Sequence, residues 1–310
     1  LHGEGHSFPT RRSSDLPWVE HVGVLYSATT LEETADWLDA TFSRAEPDPL
    51  PDRAHGRGLW IALLMTTVFL LAYPLTGLLP RVSRRPLGAD AGWRRLLLVG
   101  GLPALLTPLL LRLVPTSFLP VVVGDYVAVH FLTVGLLGGA LLWWTGGRPG
   151  PAGIVERAGL GGGRALRAAA GAGAMVAFFL LLVAWPLDRY FTSFVPTGPR
   201  VPLLLAVLVG TLPYFLVDEW LTRGPGARRG AYPATKLFFL LSLVVAVALD
   251  FQALFFLILI IPLVLAFFVV HGLFSRWAYR STGSPLVAAV GNAVAFAWAL
   301  AVTFPLYAGG

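Results

Sequence analysis

Residues Leu237 to Phe274 read LFFLLSLVVAVALDFQALFFLILIIPLVLAFFVVHGLF. A hydrocarbon core about 30 Å thick is crossed by roughly 20 helical residues rising about 1.5 Å each, so this run is too long for one crossing. Asp250-Phe251-Gln252 supplies the polar step at which a tight turn divides it into Leu237–Leu249 and Ala253–Phe274. The same criterion applied outward gives six more spans: Leu59–Leu79, Leu96–Val114, Val121–Trp144, Ala168–Leu187, Val201–Leu221 and Pro285–Tyr307. The expected fold is an all-α membrane protein with about eight transmembrane helices over residues 59–310.

Composition agrees. Of 310 residues 56% are apolar and 13% charged, which excludes an ordinary soluble domain. The net charge of +6 conceals a division. Residues 1–58 carry 5 basic and 10 acidic groups, whereas residues 59–310 carry 18 and 7, so the excess base lies among the apolar spans. There it reads as membrane topology and not as a nucleic-acid face. With no Cys and no H-E-x-x-H, neither a metal nor an organic cofactor is expected.

Loop charge orients the spans. Alternate loops hold fifteen basic residues, from Arg81 to Arg280 and including Lys236, against five in the opposite set with its linker: Arg44, Arg53, Arg57, Arg189 and Arg200. By the positive-inside rule the first set is cytoplasmic, which puts residues 17–58 and the C-terminus outside a bacterial inner membrane. The bilayer is the expected partner. Gly159 to Gly163 lacks the strand and the Lys-Ser/Thr ending of a phosphate cradle, so it reads as a flexible loop, and no internal repeat marks a two-halved transporter.

Ahead of the spans, Arg44 to Gly58 (RAEPDPLPDRAHGRG) alternates proline with charge and reads as a semi-rigid spacer over residues 45–58. Residues 17–44 read as a loop and one amphipathic helix. Thr30 and Glu33 have capping-box spacing, and Leu31, Ala35, Leu38 and Phe42 recur on one face. Glu20-His21-Val22-Gly23-Val24-Leu25-Tyr26-Ser27, followed by a helix with Trp37-Leu38, resembles the C-terminal end of an α/β-hydrolase. The resemblance implies that His21 is the general base of a triad ordered Ser, acid, His, whose partners precede it. No G-x-S-x-G occurs in the chain. His6 to Leu16, HSFPTRRSSDL, resembles one reading frame of a common sequencing-adapter oligonucleotide. Residues 1–16 are therefore expected to be adapter-derived, and the hydrolase-like piece to be the remnant of a longer domain.

Ionisable groups inside hydrocarbon cost a few kcal/mol or more, so each needs a reason. Arg112 and Asp125 are expected to snorkel at helix ends, and Glu219 to pair with Arg223 at i, i+4 as its helix leaves the bilayer. His130, about nine residues into its span, is expected to meet Asp125 or a hydroxyl on another helix. Asp218-Glu219-Trp220-Leu221-Thr222-Arg223 also resembles the E-E-x-x-x-R motif of the CAAX-processing membrane protease family. That resemblance implies a Glu that activates water and His and Asn groups that stabilise an oxyanion. The family's F-x-x-x-H falls on Ala246–Asp250 and its H-x-x-x-N on Ala288–Asn292, so Asp250 and Ala288 replace the two His. An alternative register uses Phe267 to His271. The expectation is a degenerate relative without protease activity.

Three functions follow as expectations. The first is the membrane-anchoring part of an outward-facing serine-type α/β-hydrolase acting on an ester, amide or lipid, this chain itself lacking the nucleophile. The second is an intramembrane protease relative centred on Glu219 and Arg223, with Asp218, Asp250 and Asn292 as further intramembrane polar candidates. The third is a non-enzymatic transport or binding module using Arg112, Asp125 and His130.

Overall fold

A computed structural model describes residues 27–42 and 57–307, in two compact units, Leu1–Thr67 and Val68–Gly310. His21 lies outside the described residues. In the first unit, α1 (Ala28–Thr41) begins three residues earlier than the capping-box spacing predicts, because Ser27 Oγ accepts the Thr30 amide at 3.4 Å. Thr30 is inside the helix, and Leu38 and Phe42 of its apolar face are exposed.

Eight helices are long and apolar enough to cross a membrane, and none of the described residues forms a strand beyond an isolated bridge between Val121 and Leu306. They are α2 (Arg57–Leu75, continued by a tighter turn to Leu78), α3 (Trp93–Leu110), α4 (Gly124–Thr145), α6 (Gly163–Tyr190), α7 (Arg200–Arg223), α8 (Ala231–Leu249), α10 (Leu257–Thr282) and α11 (Pro285–Thr303). Two short helices, α5 (Pro151–Arg157) and α9 (Phe251–Leu254), lie between spans. This is the architecture expected of an all-α, multi-pass membrane protein. The division at Asp250 is as predicted: Asp250 closes α8 and its Oδ1 accepts the Ala253 amide at 3.3 Å, which caps α9.

Boundaries differ where charge in the sequence reads as loop. The sixth span starts at Ala231 and not at Leu237, so Lys236 is inside α8 and buried. Arg94, Arg95, Arg164, Arg167, Arg223, Arg276 and Arg280 also lie within span helices, toward their ends, and not in the loops between them.

Within the second unit, α11 is the most enclosed span, with 67% of its apolar window buried. Ala289, Ala293, Ala297 and Ala301 recur every four residues on its buried surface, and small side chains let neighbouring backbones come close. Thr211 Oγ1 of α7 donates to the Ala293 carbonyl at 3.0 Å. Where α4 meets α7, Gly210 and Gly135 do the same work: a Cβ at Gly210 would lie 2.2 Å from Ala128 O, and one at Gly135 would lie 2.5 Å from Tyr214 N. Phe131, Tyr214, Phe215, Phe239, Phe268 and Phe296 fill the interior with ring contacts, such as Phe131 on Phe239 at 4.4 Å.

The ends are closed by backbone pairing. Val82 and Ser83 amides donate to Thr282 O and Leu87 N to Gly283 O, which ties the Arg-rich segment after α2 to the end of α10. Gly283 has φ +70°, and a Cβ there would meet Ser83 O at 2.4 Å, so glycine is required twice over. At the opposite end Arg200 Nη1 donates to Ala301 O at 2.7 Å and Phe304 O at 3.0 Å, satisfying carbonyls at the end of α11.

Candidate functional site

Helix α7 carries Asp218, Glu219 and Arg223, and consecutive helical positions point about 100° apart, so its two acids face different neighbours. Asp218 faces α8. Its Oδ1 accepts the Thr235 hydroxyl at 2.6 Å and its Oδ2 pairs with Lys236 Nζ. Glu219 faces α10 and α11. Its Oε1 accepts Asn292 Nδ2 at 3.2 Å, and its Oε2 takes Arg223 Nε at 3.2 Å together with the Ser275 hydroxyl. Both acids are buried, Glu219 completely, in the last turns of α7 before it ends at Arg223. Arg223 pairs with Glu219 at i, i+4 as predicted, and it also donates from Nη2 to Gly272 O at 2.8 Å.

Two carboxylates and two cations thus share one interior, with formal charges that sum to zero. Lys236 sits in an aromatic cage, its Nζ 4.3 Å from the Tyr232 ring centroid, 5.0 Å from Phe268 and 5.1 Å from Tyr214. Arg223 lies over the other side of the cluster, 4.2 Å from the Tyr232 ring. Ring faces supply partial negative charge to a cation that has lost its water, and every carboxylate oxygen has a donor. Low surrounding dielectric makes such a network strong when complete and costly when one member is removed.

A second polar group lies between α3, α4 and α8. Pro108 has no N–H, which leaves the Ala104 carbonyl four residues earlier without its helical donor. Ser242 Oγ donates to that carbonyl, and Ser242 Oγ is 3.0 Å from His130 Nε2. Because the serine proton goes to Ala104, Nε2 is the donor in this contact and His130 Nδ1 is a bare acceptor, buried with no hydrogen-bond partner among the described residues. Of the two partners expected for His130, the hydroxyl is found. Asp125 instead holds the loop before α4, with Phe118 N at 2.7 Å and Leu119 N at 3.2 Å on Oδ2. It is 3% exposed, so the snorkelling expectation fails: the amides of Phe118 and Leu119 hold the carboxylate in place of solvent. Arg112 is exposed, as expected, and donates to Leu249 O at 3.0 Å.

Of the protease-like motif, Glu219, Arg223 and Asn292 come together. Asp250 does not: it is exposed on the turn between α8 and α9, so the register through Ala246–Asp250 places no group near Glu219. The register through Phe267–His271 fares better, since His271 and Asn292 line one cavity between α2, α6, α10 and α11. Ala288 is fully buried in helix packing.

Sequence reading missed Lys236, Thr235, Tyr232 and Ser275. Tyr232 and Lys236 are four apart, and so are His271 and Ser275, which is the spacing of a shared helix face once α8 is extended to Ala231. No known family model, curated protein or solved structure matches this chain.

Proposed function

We propose that the eight-helix body anchors an outward-facing α/β-hydrolase domain in a bacterial inner membrane and does not itself cleave peptides. The observation that carries the second part is the saturation of both acids. A general base needs an oxygen open to water, and here Asp218 and Glu219 are buried and each of their oxygens is held by a side-chain donor. Nor do the family's two His positions carry imidazoles, since Asp250 and Ala288 stand there. What supports the first part is the resemblance of residues 17–44 to a hydrolase ending, in which the His21 loop precedes α1. The charges of the loops and span ends support the orientation, at fourteen basic residues against five once the buried Lys236 is set aside. The substrate this implies is an ester, amide or lipid close to the outer leaflet.

One observation favours the intramembrane protease reading: the Asn292 amide, the Arg223 guanidinium and the Glu219 carboxylate converge, as that resemblance implies. A single experiment separates the two. The protein expressed from its genomic reading frame is expected to react with a fluorophosphonate probe at a serine within G-x-S-x-G, and His21→Ala to abolish the reaction. Glu219→Gln is expected to leave both the labelling and any cleavage of prenylated-type peptides unchanged. Labelling that survives His21→Ala contradicts the hydrolase assignment, and peptide cleavage lost in a Glu219→Gln protein that keeps the parent's thermal midpoint transfers the chemistry to the membrane body.

A further inference from the structure

The cavity shared by His271 and Asn292 has a volume of about 350 Å³ and is partly open on the flank of the second unit, within the size range of small-molecule sites. Its walls are hydrocarbon, from Leu79 on the segment after α2 to Phe178 and Leu182 on α6, apart from Thr76, whose hydroxyl donates to Tyr73 O at 2.7 Å and so has no proton left for a ligand. The stretch Phe179–Ala184 of α6 is wound as a wider π-type turn, a local irregularity often retained at binding sites.

The polar end has a definite chemistry. His271 Nδ1 lies 2.9 Å from the Phe267 carbonyl, which accepts and cannot donate, so Nδ1 carries the proton and Nε2 is an acceptor. Among the described residues Nε2 has no hydrogen-bond partner. Glu219 likewise accepts only, so Asn292 must present Nδ2 to it and keep Oδ1 free, again with no partner among the described residues. Both side chains line the cavity. No Lys or Arg lines it, and the cations of the adjoining charge cluster, Arg223 and Lys236, are committed to Glu219 and Asp218. An apolar slot that ends in two acceptors, with no donor or unpaired cation beside them, rejects a phosphate or a carboxylate and leaves a hydroxyl as the group that satisfies it.

We propose that this flank binds a neutral, hydroxyl-bearing single-chain lipid of the monoacylglycerol or long-chain alcohol class, its chain along the apolar wall and its hydroxyls donating to His271 Nε2 and Asn292 Oδ1. The site is independent of the hydrolase reading. It is tested with the purified chain in phosphatidylcholine nanodiscs, using a monoacylglycerol with a photoreactive group in its chain, the corresponding di-O-methyl ether and a chain-labelled phosphatidylcholine.

The hydroxyl probe is expected to mark α6 and α11 peptides roughly three- to tenfold more than the ether, as one or two hydrogen bonds would give. His271→Phe, which keeps a ring in place, is expected to lower that preference. Ala174→Trp fills the slot from an exposed position that lines it, and is expected to block labelling while leaving the thermal midpoint unchanged. Equal labelling by hydroxyl and ether in the unaltered protein overturns the proposal, as does labelling that persists in Ala174→Trp. Preferential labelling by phosphatidylcholine also overturns it, by assigning the slot to bulk bilayer lipid.

Discussion

Lys236→Met is expected to destabilise the membrane body by about 3–5 kcal/mol, enough to leave much of the protein unfolded in mild detergent. Methionine preserves the length of the side chain and its contact with the rings of Tyr214, Tyr232 and Phe268, so packing changes little. What is lost is the cation opposite Asp218. The Thr235 hydroxyl alone then serves a carboxylate that is 4% exposed, and the neighbouring Glu219 adds repulsion. Replacing both partners is a different matter, because a neutral pair leaves no uncompensated charge and the desolvation cost of two ions disappears. Asp218→Asn combined with Lys236→Met should therefore recover most of the stability lost in the single variant. Thermal and denaturant midpoints of the parent, both single variants and the double variant give the coupling directly. A Lys236→Met protein within about 1 kcal/mol of the parent would mean that the pair does not hold the body together.

Gly210→Leu is expected to cost about 3 kcal/mol or more, the upper part of the range for overpacked interiors. The obstacle is backbone: the added Cβ would sit 2.2 Å from Ala128 O on α4, and a carbonyl in a helix cannot step aside unless the whole helix does. A matched comparison uses Gly173→Ala on α6, where a Cβ meets nothing within 4 Å. There the substitution is expected to be neutral or to stabilise by roughly 0.5–1 kcal/mol through helix propensity. Size-exclusion profiles and thermal midpoints in detergent distinguish the cases. Equal tolerance of both changes would show that α4 and α7 are not in intimate contact.

These two sites differ in how far they can be read from sequence. The spans are legible because hydrocarbon thickness imposes a length that local composition reports, and the turn at Asp250 is legible because an acid that interrupts an apolar run must find water or a cap. Glu219 with Arg223 is equally local, being one helical turn apart. Lys236 is not. Beside an apolar run, a cation reads as the start of a loop, and its burial is decided by Asp218 and three rings on other elements. Asp125 was misplaced for the same reason, since the amides it binds belong to a loop whose path is set by the helices around it. The Ser242 to Ala104 contact has a local half, the missing donor at Pro108, and a distant half that only the packing of α8 on α3 supplies. Gly210 and Gly135 are two glycines among 34, and nothing adjacent to them in sequence marks them as the points where backbones touch.

An eight-span body requires alternate loops to face opposite sides of a bilayer. The chain contains no cysteine, so single cysteines at exposed loop positions report sidedness without background. Ser117 lies between α3 and α4, Ser193 between α6 and α7, and Glu156 at the end of α5 between α4 and α6. With a membrane-impermeant maleimide, Ser117→Cys and Ser193→Cys are expected to react in right-side-out vesicles and Glu156→Cys in inverted ones. Reaction of all three from the same face would contradict the eight-span body and everything placed inside it.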